Sequence, residues 1–455
     1  MDFLAVLNEI DNFIWGPPLL VLLVGTGILL TIRLNLLQIF KLPKALSLIF
    51  RAQNAGSGDI DSFKALCTAL SATVGTGNIV GVATAIHAGG PGALFWMWMA
   101  AFFGMATKYA EGLLAVKYRE TDEKGEIAGG PMYYIKNGMG EKYKWLGGLF
   151  AFFGVLVAYF GIGTFAQVNS IVDITKMTIG LDPVWTGAIL TIFVAAITIG
   201  GLPPIAAAAS RIVPAMAFIY FLSTIGVLLV FADKVPAAVS MIFESAFTTT
   251  AATGGFLGAT VMMAMKNGVA RGVFSNESGL GSAPIVAAAA KTKWPAGQGL
   301  ISMTGTFIDT IIICTLTGLT LVVTGVWCGM ENGAALTNAA FTSAFPVFGG
   351  YMLLIGLVLF AFTTILGWNY YGERCMIYLV GTKGVLPYRL VFILLIASGA
   401  FLKLEAIWIL ADIVNGLMAI PNLIALLFLS GICVRETKKY MDHLKTGKPY
   451  EEYED

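Results

Sequence analysis

Long apolar stretches separated by short polar segments recur along the whole chain. A transmembrane helix needs about 20 mostly apolar residues, and eleven stretches meet that requirement. They predict spans at residues 14–34, 62–88, 91–117, 145–175, 183–200, 203–231, 256–290, 297–327, 346–380, 385–402 and 404–434. Residues 236–254 are also apolar, but their run of Ser and Thr favours a surface-lying or re-entrant segment. The pattern therefore predicts an all-α polytopic membrane protein with eleven transmembrane helices.

Basic residues concentrate in every second loop between these spans. Lys and Arg follow the first, third and seventh spans, flank the loop between the ninth and tenth, and fill the tail. Because short cytoplasmic loops carry an excess of Lys and Arg, the N-terminus is predicted outside the cell and the C-terminus in the cytoplasm. An odd number of spans agrees with this orientation.

Composition and motifs narrow the class of function. Of the 455 residues, 57% are hydrophobic and 12% are charged, whereas soluble domains carry about 25% charged residues. A net charge of +1 argues against a nucleic-acid partner. Scattered cysteines, two histidines and the lack of a phosphate-binding or His-Glu-x-x-His motif argue against a zinc or haem site, against ATP binding and against an enzymatic site. The composition favours a membrane transporter with no organic cofactor.

Two of the predicted spans contain residues that weaken a helix at membrane depth. The second carries Gly-Thr-Gly-Asn at 75–78, and the seventh carries the run 271–284, which includes Arg271, Glu277 and several glycines. Packing of small residues would also explain the first run. A loop between two shorter spans, or a structural Arg271–Glu277 ion pair, would explain the second. Irregular backbone at this depth is tolerated only against protein or a water-filled cavity, so we interpret both as broken helices.

The two breaks lie five spans apart, which indicates inverted repeats around a binding site near the bilayer midplane. Setting the first span aside leaves ten, and two halves of five spans each must have opposite topology. The predicted organisation is an extra N-terminal helix with its connector (1–61), a first five-helix repeat (62–232), a second repeat (233–434) with an extracellular segment (233–255), and a cytoplasmic tail (435–455).

At these two runs the chain resembles the alanine/glycine:cation symporter family. Residues 271–284 look like that family's motif, residues 75–78 resemble its first broken helix, and the resemblance covers essentially the whole chain. It implies a LeuT-type fold of five-plus-five inverted repeats with one extra N-terminal helix. It also implies Na⁺-coupled, or in some relatives H⁺-coupled, uptake of alanine or glycine through the cell membrane of a prokaryote.

The resemblance further implies a Na⁺ site between the first broken helix and the eighth core helix. Its ligands are two adjacent hydroxyls and several carbonyl oxygens, and hard cations prefer oxygen ligands. The corresponding residues are Ser71, Val74, Phe360, Thr363 and Thr364. The alternative is that these hydroxyls only bond back to carbonyls of their own helix, as Ser and Thr in membrane helices commonly do.

A small amino acid is a zwitterion, so a dry site must neutralise both of its ends. Its carboxylate is expected at N–H groups of the first break, where a helix N-terminus favours an anion. Its ammonium is expected at the freed carbonyls of Gly272, Val273 and Phe274 in the second break, with the amide of Asn276 or Gln167 beside them. The rings of Phe165, Phe274 and Trp368 are expected to form the wall that limits side-chain size. The substrate-binding candidates are Thr73, Gly75, Thr76, Gly77, Asn78, Phe165, Gln167, Gly272, Val273, Phe274, Asn276, Thr364 and Trp368.

Glu277 and Arg271 are assigned a structural or coupling role. An unpartnered carboxylate at membrane depth is costly, so Glu277 is expected to be held by Ser278, by N–H groups of the first broken helix, or by a cation. The competing role is a titrating group for H⁺-coupled transport. A channel is the alternative from another class, but two asymmetric breaks suit alternating access better than a filter. The expected partners are a small amino acid, Na⁺ and the lipid bilayer, for a chain that acts as a monomer.

Overall fold

The computed structural model describes residues 3–50, 56–249, 259–402 and 405–453, and most of them form helices. In the first half the helices are α1 (Phe3–Ile14), α2 (Pro17–Arg33), α3 (Leu37–Phe40), α4 (Leu42–Ile49), α5 (Ser62–Thr73), α6 (Val82–Gly89), α7 (Gly92–Lys117), α8 (Pro131–Tyr134), α9 (Lys144–Phe160), α10 (Phe165–Ile179), α11 (Pro183–Thr198) and α12 (Leu202–Val230). A small antiparallel hairpin, β1 (Glu120–Thr121) and β2 (Ile127–Ala128), follows α7 and pairs Glu120 with Ala128.

The second half is also helical. It contains α13 (Val235–Phe247), α14 (Val261–Asn276), α15 (Pro284–Ala287), α16 (Pro295–Thr306), α17 (Thr315–Thr324), α18 (Gly333–Ala344), α19 (Gly349–Val380), α20 (Val385–Gly399) and α21 (Glu405–Thr446). Three π-helical segments interrupt the regular helices, at Gly77–Gly81, Ile135–Met139 and Phe307–Cys314. In the interior, α14 packs against α7, and α5 packs against α12 and α19. The broken helices are therefore enclosed by other helices.

Within the described residues, seven helices are long and apolar enough to cross a membrane, or eight when a bent pair counts as one span. Three other predicted spans are not among these helices, because they are too short or too polar. Helices α11 and α14 have 16 residues each, and α7 carries the buried charges Lys108 and Glu111, which lower its hydropathy. The structure confirms the all-α polytopic architecture. The count of eleven spans and the inverted repeat stay predictions, as do the domain boundaries.

Some helix boundaries differ from the predicted ones. The predicted span 145–175 is divided into α9 and α10 at residues 161–164, where a Cβ on Gly163 would lie 2.7 Å from Cβ of Trp368. Helix α21 runs past residue 434 to Thr446 because Lys, Arg and Glu remain good helix formers in water. Part of the predicted surface-lying segment 236–254 is α13, and residues 250–254 lie outside the described residues.

The first break follows α5. The chain resumes as the π-helical segment Gly77–Gly81 and then α6, and the two pieces are bent by 52°. Close approach explains the glycines: a Cβ on Gly75 would lie 2.3 Å from Oγ1 of Thr364, and one on Gly77 would lie 3.0 Å from Cα of Ser275. Only small residues let the first break touch both α19 and the end of α14.

The second break begins later than the sequence pattern suggests. Helix α14 continues to Asn276, and Glu277 closes it in a left-handed conformation with φ of 55°. Gly279 and Gly281 also have positive φ, and helix resumes as α15 at Pro284. The expectation that residues 272–274 present free carbonyls needs correction at Val273, whose carbonyl accepts the Glu277 N–H at 2.8 Å.

At one end of the bundle, contacts to backbone groups connect the two broken helices. Ile60, just before α5, forms a parallel bridge with Ala290, which follows α15. Arg119, just after α7, donates to the carbonyl oxygens of Ala288 at 2.7 Å, Ala290 at 2.8 Å and Ser57 at 2.7 Å. We call these five residues the backbone clamp. It holds the start of the first broken helix against the end of the second.

Candidate functional site

Oxygen atoms from α19 and the first break lie close together. Oγ1 of Thr364 lies 3.0 Å from the Phe360 carbonyl oxygen and 3.5 Å from the Val74 carbonyl oxygen, and Oγ1 of Thr363 lies 3.1 Å from the Phe360 carbonyl oxygen. Neighbouring ligands in an oxygen shell with metal–oxygen distances of about 2.4 Å have such separations. The structure thus brings together four of the five residues assigned to the cation.

Both interpretations of these hydroxyls use the same contacts. The Thr363 and Thr364 hydroxyls donate to the Phe360 carbonyl of their own helix, as the alternative expects. The Thr364 hydroxyl also approaches the Val74 carbonyl at the end of α5. A hydroxyl that only bonds back to its own helix would not need this contact. Ser71 is predicted to bind the cation through its carbonyl oxygen; its hydroxyl donates to the Thr68 carbonyl at 2.8 Å.

The backbone of the first break is partly satisfied by two amide side chains. The Gly75 N–H donates to Oδ1 of Asn78 at 2.9 Å, and the Thr76 N–H donates to Oε1 of Gln167 at 3.3 Å. The hydroxyl of Thr73 donates to the Ala69 carbonyl within α5. Two N–H groups that the sequence predicts to bind a substrate carboxylate are therefore engaged by amide oxygens.

Asp309 joins the two breaks, and the sequence analysis missed it. Its Oδ1 accepts from Nδ2 of Asn78 at 2.7 Å, and its Oδ2 accepts from the hydroxyls of Ser275 at 2.9 Å and Thr310 at 2.7 Å. Its side chain is fully buried. Three donors to one carboxylate make strong, charge-assisted hydrogen bonds. An ionisable residue inside the predicted span 297–327 is by default a candidate for function, and that signal could have found it.

Buried side chains from α7 and α21 hold the second break. The ammonium of Lys108 donates to the Asn276 carbonyl at 2.9 Å. Oε1 of Glu111 accepts from the Gly279 N–H at 3.1 Å and from Nδ2 of Asn422 at 2.7 Å, and Asn422 also donates to the Gly279 carbonyl. These contacts pair backbone groups that the break leaves without helical partners. These residues were not predicted from the sequence, although Lys108 and Glu111 are charges inside the predicted span 91–117.

Glu277 has partners other than the expected ones. Its carboxylate accepts from the indole N–H of Trp368 at 2.8 Å and from the hydroxyl of Ser282. The hydroxyl of Ser278, an expected donor, instead contacts Oγ1 of Thr306 at 2.8 Å. Asn276 is also engaged, since its Oδ1 accepts from the Ser278 N–H at 2.9 Å. Glu277 thus links the second break to α19.

Arg271 lies on α14, before the second break, and does not share these contacts. Its guanidinium pairs with Asp412 at 3.3 Å and lies 5.5 Å from the ring centroid of Phe274. In this structure the side chains of Arg271 and Glu277 have different partners, so the ion pair considered from the sequence is not formed. Gly272 lies inside α14, where a Cβ would approach Cα of Met97 at 3.4 Å.

A cavity of about 320 Å³ reaches the breaks from the end of the bundle opposite the backbone clamp. Thr76 and Phe274 lie at the breaks, and Arg271 and Asp412 line it further out. Of the three aromatic residues expected to limit substrate size, Phe274 lines this cavity. Trp368 is fully buried against Glu277, and Phe165 is buried with its ring stacked on Phe160.

A model of the sodium:alanine symporter family matches residues 1–454 of this chain. The chain belongs to that family. It is 52% identical over 448 residues to the sodium/alanine symporter AgcS of Methanococcus maripaludis, covering 97% of this chain and 98% of the relative. It is 58% identical over 447 residues to an uncharacterized transporter of Haemophilus influenzae, with 98% of each chain covered.

This symporter-family chain also resembles a solved structure. The crystal structure of MhsT in complex with L-phenylalanine superimposes with a TM-score of 0.56 at 11% identity, covering 84% of this chain and 99% of that one. A likeness at this identity concerns the fold, which is of the LeuT type. Membership of the symporter family identifies the chain as a multi-pass membrane transporter and not an enzyme.

Proposed function

We propose that this member of the sodium:alanine symporter family carries a small amino acid, alanine or glycine, into the cell together with Na⁺ by alternating access. The observation that carries the proposal is the approach of the Thr364 hydroxyl on α19 to the Val74 carbonyl at the first break. Family membership supports the class of cargo, and the 52% identical relative bears the name of a sodium/alanine symporter.

Na⁺ is a co-transported cargo, and the oxygen cluster suits it. The proposed ligands are neutral hydroxyl and carbonyl oxygens, the donor type that hard cations prefer. They come from two elements, the first break and α19, so a bound ion would hold these elements together. A ligand shifts a conformational equilibrium only by its different affinity for the two states. An ion that needs both elements in contact therefore favours the arrangement in which they meet.

The substrate is proposed to bind at the inner end of the 320 Å³ cavity, between the two breaks. Its carboxylate would replace the Gln167 amide oxygen at the Thr76 N–H, where the positive end of a helix dipole favours an anion. Its ammonium would meet the Phe274 carbonyl, because the Ser278 N–H that would continue the helix is turned to Oδ1 of Asn276. The ring of Phe274 would then limit the substrate side chain to a small one.

The ion gradient supplies enough free energy for accumulation. One Na⁺ moving down about 100 mV releases about 2.3 kcal/mol, and a tenfold concentration gradient adds about 1.4 kcal/mol. Together they support accumulation of a neutral amino acid by a factor of several hundred at one-to-one stoichiometry, because each 1.4 kcal/mol is a factor of ten.

The proposed orientation places the N-terminus outside and the C-terminus in the cytoplasm of a prokaryote, as the loop charges predict. The cavity would then face outward, and the backbone clamp would close the cytoplasmic end. This arrangement supports an outward-facing step of alternating access. The transporter is proposed to act as a monomer.

The test is uptake of radiolabelled alanine into proteoliposomes, with Na⁺ and pH gradients imposed separately. Concentrative uptake driven by a Na⁺ gradient at uniform pH is expected. Uptake driven by a pH gradient without Na⁺ would favour the H⁺-coupled alternative, with Glu277 as the group to test. Equilibration without accumulation under either gradient would favour a channel and contradict the proposal.

A further inference from the structure

The chain turns back along its last long helix after residue 446. Gly447 has φ of 74°, a conformation that glycine adopts without strain, and its N–H donates to the His443 carbonyl at 2.8 Å. The residues beyond it form a short 3₁₀ turn, Tyr450–Tyr453, which lies against the last turns of α21. We call residues 447–453 the strap. Neither the sodium cluster nor the proposed substrate contacts use it.

Hydrogen bonds to charged side chains of α21 fix the position of the strap. The hydroxyl of Tyr450 donates to Oε2 of Glu436 at 3.2 Å, and the hydroxyl of Tyr453 donates to Oδ2 of Asp442 at 2.6 Å. The ammonium of Lys439 also donates to the Tyr453 carbonyl. Hydrogen bonds with a charged partner are stronger than neutral ones, so these three bonds hold the strap in one place.

The strap and α21 together surround Trp294, the residue that precedes α16. From α21, the ring of His443 stacks on Trp294 at 4.2 Å between centroids, and the ring of Tyr440 lies at 5.4 Å. From the strap, the rings of Tyr450 and Tyr453 lie edge-on at 5.0 and 6.1 Å. Ring pairs at such distances attract each other beyond the effect of their buried area. We call these four rings the aromatic cage of Trp294.

Trp294 lies next to the backbone clamp along the chain. Its N–H donates to Oγ1 of Thr292 at 3.1 Å, and the Thr292 carbonyl accepts from Arg119 at 3.0 Å. Two residues before Thr292, Ala290 forms the bridge to Ile60. The carbonyl side of the clamp is therefore attached to α21 through the ring of Trp294, a few residues away.

The other side of the clamp is attached to the same helix. Arg119 follows α7, and Lys117 in the last turn of α7 pairs with Glu436 at 2.8 Å. Glu436 is 2% exposed and is the carboxylate that also accepts from Tyr450 of the strap. Arg119 and the carbonyl oxygens that it binds are thus both fastened to α21, and the strap takes part in both attachments.

We infer that the strap is an autoinhibitory element that restrains opening of the backbone clamp. When the clamp opens, Arg119 and the segment that ends at Trp294 move apart. Both are attached to α21, so their separation must break the ion pair at Glu436 or withdraw Trp294 from its cage. The inference rests on the proposed function, since it takes this separation to be the step that opens the central site to the cytoplasm. Release of the strap then favours the state that is open to the cytoplasm.

Two variants loosen the cage from opposite sides. The double substitution Tyr450→Ser with Tyr453→Ser removes both strap rings and their hydroxyl bonds to α21. Trp294→Leu keeps an apolar side chain before α16 and removes the ring that the cage holds. Tyr351→Ser is the matched control, because Tyr351 is a half-exposed tyrosine in the first turn of α19, outside the cage.

The experiment measures amide hydrogen exchange of the full-length protein in lipid nanodiscs by mass spectrometry. The reporters are the N–H groups of Asp59 and Ile60, which donate across the clamp to the Ala289 carbonyl at 2.8 and 3.2 Å and lie outside the cage. Their exchange is expected to be about threefold to tenfold faster in both cage variants than in the wild-type protein, because lost ring contacts and hydrogen bonds make local opening easier. A purely local role of the cage would change exchange around Trp294 and leave these two amides as they are.

The outcomes separate this inference from the proposed function. Unchanged exchange at Asp59 and Ile60 in both cage variants, or an equal increase in Tyr351→Ser, would overturn the inference. Faster exchange in Trp294→Leu alone would also count against it, because the restraint would then belong to α21 without the strap. Alanine uptake by the wild-type protein in proteoliposomes is measured in parallel. Concentrative uptake with unchanged exchange would leave the proposed function standing without the strap, whereas faster exchange without any wild-type uptake would keep the restraint on the clamp and remove the proposed function.

Discussion

Replacing Thr364 by valine tests the proposed cation site most directly. Valine keeps the shape of threonine and removes only the hydroxyl, whose oxygen lies 3.0 Å from the Phe360 carbonyl oxygen and 3.5 Å from the Val74 carbonyl oxygen. A contact between a charged group and a polar one contributes about 1.5–3 kcal/mol, and each 1.4 kcal/mol is a factor of ten in affinity. The half-saturating Na⁺ concentration is therefore expected to rise about tenfold to a hundredfold.

The assay is alanine uptake into proteoliposomes at a series of Na⁺ concentrations, with alanine held at saturation. Thr364→Ser is the matched control, because it keeps the hydroxyl and loses only a methyl group. Serine should leave the Na⁺ dependence within a few-fold of wild type. A valine variant with normal Na⁺ dependence and normal alanine binding would show that Thr364 only bonds back to its own helix, and the cation site would have to lie elsewhere.

Substitutions at three further positions test the substrate wall and the contacts of the second break. Phe274→Ala should allow leucine to compete with alanine for uptake, because room for one more methylene changes the binding free energy by about 1–3 kcal/mol. If leucine does not compete, the ring of Phe274 does not limit substrate size and has only a structural role. Glu277→Gln should retain measurable Na⁺-driven uptake because its amide oxygen can still accept from Trp368, whereas Glu277→Ala should be far worse; equal loss in both would favour a titrating role. Lys108→Met should lower the free energy of unfolding by about 1.5–3 kcal/mol, because it removes a charged hydrogen bond to the Asn276 carbonyl. Thermal unfolding measures this change, and substitution of the exposed Lys124 by Met is the control. An unchanged melting temperature would contradict the prediction.

Helical spans and the location of the breaks could be predicted because both depend on local composition. Apolar length determines whether a segment can span the membrane, and glycine runs such as 75–78 disfavour regular helix. The structure confirms the first break at this run, with its 52° bend. The exact start of the second break could not be predicted. It depends on Glu277 adopting a left-handed conformation, which is stabilised by long-range contacts from Lys108 and Glu111.

Long-range partners explain most of what the sequence analysis missed at the site. Asp309 is 231 residues from Asn78 along the chain, and hydropathy gives no indication of which residue it meets. The same holds for Trp368, which the sequence analysis placed on a substrate wall and which contacts Glu277. The adjacent hydroxyls of Thr363 and Thr364 were found because the resemblance to the symporter family implies a cation site with two neighbouring hydroxyls on this helix. Their assignment to Na⁺ stays a prediction.

The backbone clamp has a consequence for how this transporter tolerates sequence change. Arg119 binds carbonyl oxygens of Ser57, Ala288 and Ala290, and Ile60 meets Ala290 through a backbone bridge. Carbonyl oxygens are present whatever side chain a residue carries, and they do not titrate. A substitution at the exposed Ser57 therefore leaves its carbonyl acceptor in place, whereas the fully buried Ala288 and Ala290 leave no room for a larger side chain. Acidification leaves all three acceptors uncharged. The strength of the clamp can therefore change through one side chain, Arg119, apart from the residues proposed to bind ion and substrate.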